Sequence, residues 1–332
     1  MAPVGVIGAG AWGTALANAI AANGHAVTLW AREPEVVGAI NRDHRNPDFL
    51  PGIALSPAVR ATAILAEAAG PAAVFLAAPA QHVRAIVAPI AATLRGKRLV
   101  LCAKGLETAT GALMSEIVAA AVPAATVAVL SGPTFAHEVA AGQPTAVTLA
   151  CRDPAAGAAL VELVGSRTFR PYLSRDPVGA QVGGAVKNVL AIACGIVAGK
   201  VLGDNARAAL ITRGFAEMLR FGRALGAEAE TLMGLSGLGD LVLTCTGTAS
   251  RNYSLGFALG QGADLGRYLG ERRSVAEGVY SAGAVVARAA TLGVEMPIAG
   301  AVDAIVNRGT AVDAAIAALL ARPFRAESET RS

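Results

Sequence analysis

Short apolar, β-branched runs recur through the first half of the chain, each followed by a segment whose apolar positions fall at helical spacing. Residues 4–7, 26–30, 74–77, 98–102, 127–130 and 146–150 read as strands, and 11–23, 81–93 and 111–121 as helices between them. A further strand over 168–173 closes the layer. Strand runs that are apolar on both faces and alternate with helices imply βαβ units and a mainly parallel sheet. After Asp176-Pro177 the pattern changes. Long Ala-rich stretches over 178–201, 207–225, 276–292 and 312–321 read as helices, with few strand runs among them. The expected organisation is α/β over residues 1–176 and all-α over 177–332.

Composition narrows the class. The chain has 332 residues, enough for two domains, and 54% hydrophobic against 16% charged residues, so many elements must be covered on both faces. The mean hydropathy of +0.52 raises the question of a membrane. The apolar stretches are cut by Lys, Asn, Asp, Arg or Pro before reaching the ~20 residues a spanning helix needs. Stable membrane insertion is therefore not expected. The first residues begin a strand pattern with no basic leader, which argues against a signal peptide. Cys102, Cys151, Cys194 and Cys245 are far apart and fit reduced thiols, not a disulfide frame or a zinc site. A cytoplasmic location is expected. The net charge of +4 comes without a basic run, which favours a small anionic ligand over nucleic acid. The four histidines show no metal-ligand spacing, so no metal is expected.

The first turn carries a cofactor signal. Gly8-Ala-Gly-Ala-Trp-Gly13 is a GxGxxG motif, weak alone in a chain with 38 glycines. Here it follows a strand, opens a helix and precedes a second strand. Gly8 permits the tight turn, Gly10 the approach of a pyrophosphate and Gly13 close helix–strand packing, while Ala11 and Trp12 start the helix whose N–H groups face the phosphates. The expected N-terminal domain is thus of Rossmann type. At the end of the second strand stands Trp30-Ala-Arg-Glu33. An acidic residue there would hold a ribose 2′-OH. Arg32 instead suits a 2′-phosphate, which favours NADP(H) with NAD(H) also accepted.

Lysine is rare: only Lys97, Lys104, Lys187 and Lys200 among the 28 Lys+Arg. Lys104 and Lys187 interrupt apolar runs. A sheltered lysine can lose its proton near neutral pH where an arginine cannot, so these two are candidates for proton transfer; snorkelling or salt-bridged lysines are the other reading. Gly237-Leu-Gly-Asp240 reads as a tight loop ending in a carboxylate. Ser250 reads as the N-cap of a helix reaching about residue 260, which puts Arg251 and Asn252 in its first turn. A cation there opposes the helix dipole unless an anion lies beside it, and a bound phosphate would relieve the conflict. A solvated arginine on an ordinary capped helix is the alternative.

Taken in order, residues 4–17, Ser131-Gly-Pro-Thr-Phe-Ala136, Lys187-Asn-Val-Leu-Ala191, Gly237-Leu-Gly-Asp-Leu241, Ser250-Arg-Asn252 and Ala276-Glu-Gly278 resemble the motifs of bacterial NAD(P)-dependent glycerol-3-phosphate dehydrogenases, over essentially the whole chain. The resemblance implies reversible reduction of dihydroxyacetone phosphate to sn-glycerol 3-phosphate by NADPH or NADH, supplying the glycerophospholipid backbone. It implies that Lys187 donates and accepts the proton and that Lys104 contacts substrate near the nicotinamide. It further implies that Gly132, Thr134, Asn188, Asp240, Ser250, Arg251 and Asn252 line the substrate site. Trp12, Arg32, Lys104, Ala136, Arg251 and Glu277 would touch the cofactor. Thr134 stands where serine is frequent and keeps the hydroxyl.

Together these readings give one mechanism. Lys187 protonates the C2 oxygen as hydride arrives, Lys104 adds positive charge there, Asp240 orients Lys187 or holds a hydroxyl, and Arg251 with Asn252 grips the phosphate. Two rivals stay open: a sibling dehydrogenase acting on a carboxylate substrate, and a non-catalytic NADPH sensor. A homodimer is compatible with the sequence, which carries no interface signature.

Overall fold

A computed structural model describes residues 2–271 and 276–324. Its frame is an eight-stranded sheet in the order β3-β2-β1-β4-β5-β6-β7-β8. The strands are β1 (Val4–Ile7), β2 (Val27–Trp30), β3 (Val59–Thr62), β4 (Ala73–Leu76), β5 (Arg98–Leu101), β6 (Thr126–Ser131), β7 (Thr145–Cys151) and β8 (Phe169–Ser174). The first six run parallel. β7 pairs antiparallel with β6, and β8 pairs parallel with β7. Central strands β1 and β4 are buried along their whole length, as expected of a sheet covered by helices on both faces. Separate apolar clusters lie on its two sides, one around Leu16, Leu29 and Phe75, the other around Ile7, Leu99 and Leu101.

Seven strands fall where the apolar pattern places them. β3 has no counterpart in that reading. Its four residues include Arg60, exposed at the sheet edge, and give too little alternation to register. The expected helix over 81–93 is broken into Ala80–His82, Val83–Val87, Ala88–Ile90 and Ala91–Leu94. Pro89 is the cause: it lacks an N–H and clashes with the preceding turn.

From Pro177 onward the described residues are helical. Asp176 caps the Pro177–Gly199 helix by accepting from Gly179 N at 2.8 Å. This helix is long and apolar enough to cross a membrane, a length and composition the sequence reading understated. Yet 89% of its apolar window is buried inside the fold, where it forms the axis of a third apolar cluster. Its main partner is the Arg251–Gly260 helix. Glycines line both sides of the crossing, Gly195 and Gly199 on one helix, Gly256 and Gly260 on the other. A Cβ on Gly260 would sit 2.7 Å from Ile196 O, and one on Gly199 would sit 3.0 Å from Gly260 Cα. The backbones therefore touch, and no larger residue fits without separating them.

Candidate active site

The glycine-rich turn joins β1 to the Ala11–Ala22 helix. Gly8 has φ +114°, and a Cβ there would lie 2.9 Å from Ala78 N, so both backbone shape and neighbouring strand demand glycine. Gly10 is the reverse case: a Cβ would meet nothing within 4 Å. The helix has Gly10 as its N-cap, no side-chain cap and no acidic residue in its first turn. Open space, uncapped N–H groups and a favourable dipole fit a pyrophosphate. Trp12 and Ala11 pack in the same apolar cluster as Ala136, which starts the short Ala136–Ala140 helix. The buried Trp12 Nε1 has no protein partner among the described residues.

Arg32 follows β2, as expected, but it is held by its neighbour: Nη2 and Nε donate to Glu33 Oε1 at 2.8 and 3.1 Å. Glu277 opens the Glu277–Thr291 helix and accepts from Ala80 N at 3.3 Å, linking the helical part to the loop after β4. Desolvation raises its pKa, against the pull of Arg251, Lys104 and Lys187. Gly8, Arg32 and the Ala80 segment joined to Glu277 thus all follow the carboxyl ends of neighbouring parallel strands.

The two sheltered lysines meet on one carboxylate. Lys187 Nζ donates to Asp240 Oδ1 and Lys104 Nζ to Asp240 Oδ2, each at 2.7 Å. Asp240 has no exposed side-chain surface, while Lys187 and Lys104 retain 8% and 17%. Lys104 comes from the loop after β5 and also donates to Gly132 O at 3.0 Å. Lys187 comes from the middle of the Pro177–Gly199 helix. A buried carboxylate flanked by two cations is compensated, but the three groups together carry one net positive charge inside the protein. Burial pushes the Lys187 pKa down to about 8; Asp240 opposes the shift and Lys104 adds to it.

Asp240 is not at the end of a loop. Residues Leu235–Gly239 form a π-helical turn, and Asp240 begins the Asp240–Cys245 helix, where a carboxylate is favourable to the dipole. That helix supplies a residue the sequence reading did not single out. Thr244, one turn beyond Asp240, accepts from Lys187 Nζ at 2.8 Å and donates to Asp240 O at 2.6 Å. The i,i+4 spacing of Asp240 and Thr244 was the available signal.

Ser250 caps the Arg251–Gly260 helix as expected, its Oγ accepting from Tyr253 N at 3.2 Å. Arg251 is exposed and makes no direct hydrogen bond among the described residues, though its charge acts on the nearby Glu277 carboxylate. Asn252 is buried, and its amide is partly committed: Nδ2 donates to Asn188 Oδ1 at 2.9 Å, and Oδ1 accepts from Gly278 N at 3.0 Å. Asn188 in turn donates to Lys104 O at 3.2 Å. This chain ties the start of the Arg251–Gly260 helix to the Lys104 loop. One Asn252 N–H remains for a ligand. Thr134 Oγ1 donates to Gly132 O at 3.3 Å, beside the same carbonyl that Lys104 uses.

A dinucleotide-binding sheet joined to a helical half, with paired lysines where they meet, defines an oxidoreductase of the NAD(P)-dependent type. The NAD-dependent glycerol-3-phosphate dehydrogenase N-terminus matches residues 3–157, and the corresponding C-terminus matches residues 176–317. Glycerol-3-phosphate dehydrogenase [NAD(P)+] of Rhodospirillum rubrum is 60% identical over 99% of this chain and 95% of that protein. Its counterpart from Parvibaculum lavamentivorans is 59% identical over 98% of each. The crystal structure of glycerol-3-phosphate dehydrogenase from Coxiella burnetii superposes with a TM-score of 0.93 at 38% identity, covering 97% of this chain and 99% of that one. The chain belongs to the NAD-dependent glycerol-3-phosphate dehydrogenase family.

Proposed function

We propose that this protein catalyses the reversible NAD(P)H-dependent reduction of dihydroxyacetone phosphate to sn-glycerol 3-phosphate in the cytoplasm, and so supplies the glycerophospholipid backbone. The observation that carries the reading is the buried Lys104–Asp240–Lys187 cluster, whose Lys104 follows the carboxyl end of β5 as the glycine-rich turn follows that of β1. Residues 1–176 form the dinucleotide-binding unit in this reading and 177–332 the substrate unit, of which 272–275 and 325–332 lie outside the described residues.

Bound dinucleotide supplies the hydride for reduction and accepts it for oxidation. The protein's part is to place the ketone and manage one proton. Lys187 gives a proton to the C2 oxygen in reduction and takes it back in oxidation. A pKa of about 8 keeps both forms accessible near neutral pH. Asp240 and Thr244 hold the ammonium in position, and the second cation, Lys104, stabilises charge developing on the C2 oxygen. Gly132, Thr134, Asn188, Ser250 and Asn252 line the substrate site. Arg251, exposed at a helix N-terminus, takes the substrate phosphate. Gly8, Gly10, Ala11, Trp12 and Gly13 face the pyrophosphate, Arg32 takes a 2′-phosphate, and Ala136 and Glu277 complete the cofactor side. NADP(H) is preferred over NAD(H).

Following NADPH absorbance with dihydroxyacetone phosphate, dihydroxyacetone and a 2-keto acid tests this reading. Turnover should depend on the phosphorylated ketone. Equal turnover of the keto acid, or none with any substrate, overturns it.

A further inference from the structure

Asn46 lies in the loop between the Pro34–Asp43 helix and β3, and it is completely buried. Burial of a primary amide is costly unless each polar atom finds a partner. Its partners are specific. Asn46 Nδ2 donates to Ala9 O at 2.9 Å and to Thr14 Oγ1 at 2.8 Å, and Oδ1 accepts from Phe49 N at 3.3 Å. Thr14, also fully buried, completes a triangle by donating from Oγ1 to Ala9 O at 3.1 Å. The carbonyl at the middle of the glycine-rich turn is therefore gripped twice from the protein side.

This grip has a directional consequence. In a trans peptide the C=O and the following N–H point opposite ways. Drawing Ala9 O inward aims the Gly10 N–H outward, and Gly10 is the position that faces open space. Gly10 N–H finds no acceptor among the described residues. With glycine on either side of Ala9, the turn itself has little conformational preference. A side-chain anchor from behind fixes the peptide without occupying the space a phosphate needs.

We propose that Asn46, acting through Thr14 and Ala9, is a positioning residue that presets the Gly10 N–H toward the dinucleotide pyrophosphate. The proposal rests on the dinucleotide-dependent reading above. NADPH and NADH share the pyrophosphate, so loss of the anchor should weaken both equally, unlike a change at Arg32.

Calorimetric binding of NADPH, NADH and ADP-ribose to the wild type, Asn46→Ala and Asn46→Asp tests it, with the melting temperature of each free protein measured alongside. Asn46→Ala should raise the Kd of all three ligands by a common factor of about ten. Asn46→Asp should be weaker still, because it sets acceptor against acceptor at Ala9 O and adds negative charge behind the phosphates. In steady state the loss should appear in the dinucleotide KM, while kcat at saturation and the KM for dihydroxyacetone phosphate move far less. Should Asn46→Ala not fold, Thr14→Val, which removes one donor to Ala9 O at almost constant volume, carries the same measurements. Folded variants with wild-type Kd values, or a loss confined to one dinucleotide, overturn the proposal. A wild type that binds none of the three overturns the dinucleotide reading itself.

Discussion

Lys187 and Asp240 meet through a 2.7 Å hydrogen bond at a carboxylate with no exposed surface. In the proposed mechanism the proton given to the substrate oxygen is therefore controlled by a residue the solvent cannot screen. Lys187→Ala should lower kcat by on the order of a hundredfold or more with little change in dinucleotide affinity. Lys187→Arg should not restore turnover, because a guanidinium keeps its proton near neutral pH. Near-wild-type turnover in the arginine variant refutes the assignment.

The lowered Lys187 pKa fixes a pH dependence. Reduction needs the ammonium form, so its rate should be full well below pH 8 and decline as pH rises through about 8, whereas oxidation needs the free amine and should rise over the same interval. Asp240 holds the pKa up. Asp240→Asn leaves two cations facing each other and should move the break to lower pH, as well as reducing kcat. Rate profiles in both directions check the sign; an unmoved break in Asp240→Asn removes the carboxylate from this role.

Arg32 and Glu33 form a pair whose side chains are 77% and 36% exposed. Such a pair is weak in water, so the guanidinium can leave it for a 2′-phosphate. Arg32→Ala should raise the KM for NADPH more than for NADH, by about 1–3 kcal/mol in differential terms. Glu33→Gln should favour NADPH by releasing Arg32. Equal effects of Arg32→Ala on the two cofactors exclude this arginine from the 2′-phosphate site.

Arg251 should matter to phosphate and not to stability. Its charge opposes the dipole of the helix it opens but eases the burial of the Glu277 carboxylate, so Arg251→Ala should change the melting temperature of the free protein little in either direction. Turnover of dihydroxyacetone phosphate should fall far more than turnover of dihydroxyacetone, with kcat reduced because phosphate binding aligns C2. Parallel losses on the two substrates would place the phosphate elsewhere.

Val201 offers a test of stability away from the site. It follows the Pro177–Gly199 helix with φ +55° and is 86% exposed. A β-branched residue is strained in that left-handed position, where glycine commonly ends a helix. Val201→Gly should stabilise the protein by about 1 kcal/mol, read as a higher melting temperature. A lower one would mean that unfolded-state entropy outweighs the strain.

What the chain reveals before folding follows from how local each signal is. The glycine-rich turn and the Ser250 cap are legible because their chemistry spans six residues or fewer. Lys104 and Lys187 stand out because lysine is rare and their surroundings are apolar, although nothing in the sequence says they share Asp240. Thr244 and Asn46 escape for opposite reasons. Thr244 acquires its role only once residues 240–245 coil into a helix that points its hydroxyl at Lys187. Asn46 sits in a segment without strand or helix periodicity, and its partners Ala9 and Thr14 are more than thirty residues away. The pairing of Asn252 with Asn188 across 64 residues is hidden in the same way, so the sequence assigns Asn252 wholly to ligand when much of its amide is spent inside the protein.

The glycine-lined contact between the Pro177–Gly199 and Arg251–Gly260 helices sets a limit on how this enzyme can move. Lys187 rides one helix and Arg251 opens the other, and bare backbones in contact leave no compressible side chains between them. The distance from Lys187 to Arg251, the proposed proton donor and phosphate grip, is thus fixed within the helical half. Any closure over substrate must change the separation between that whole half and the nucleotide turn. An alanine at Gly256 or Gly260 would drive a Cβ against the backbone of the facing helix and force the two apart, so the span cannot be adjusted in small steps.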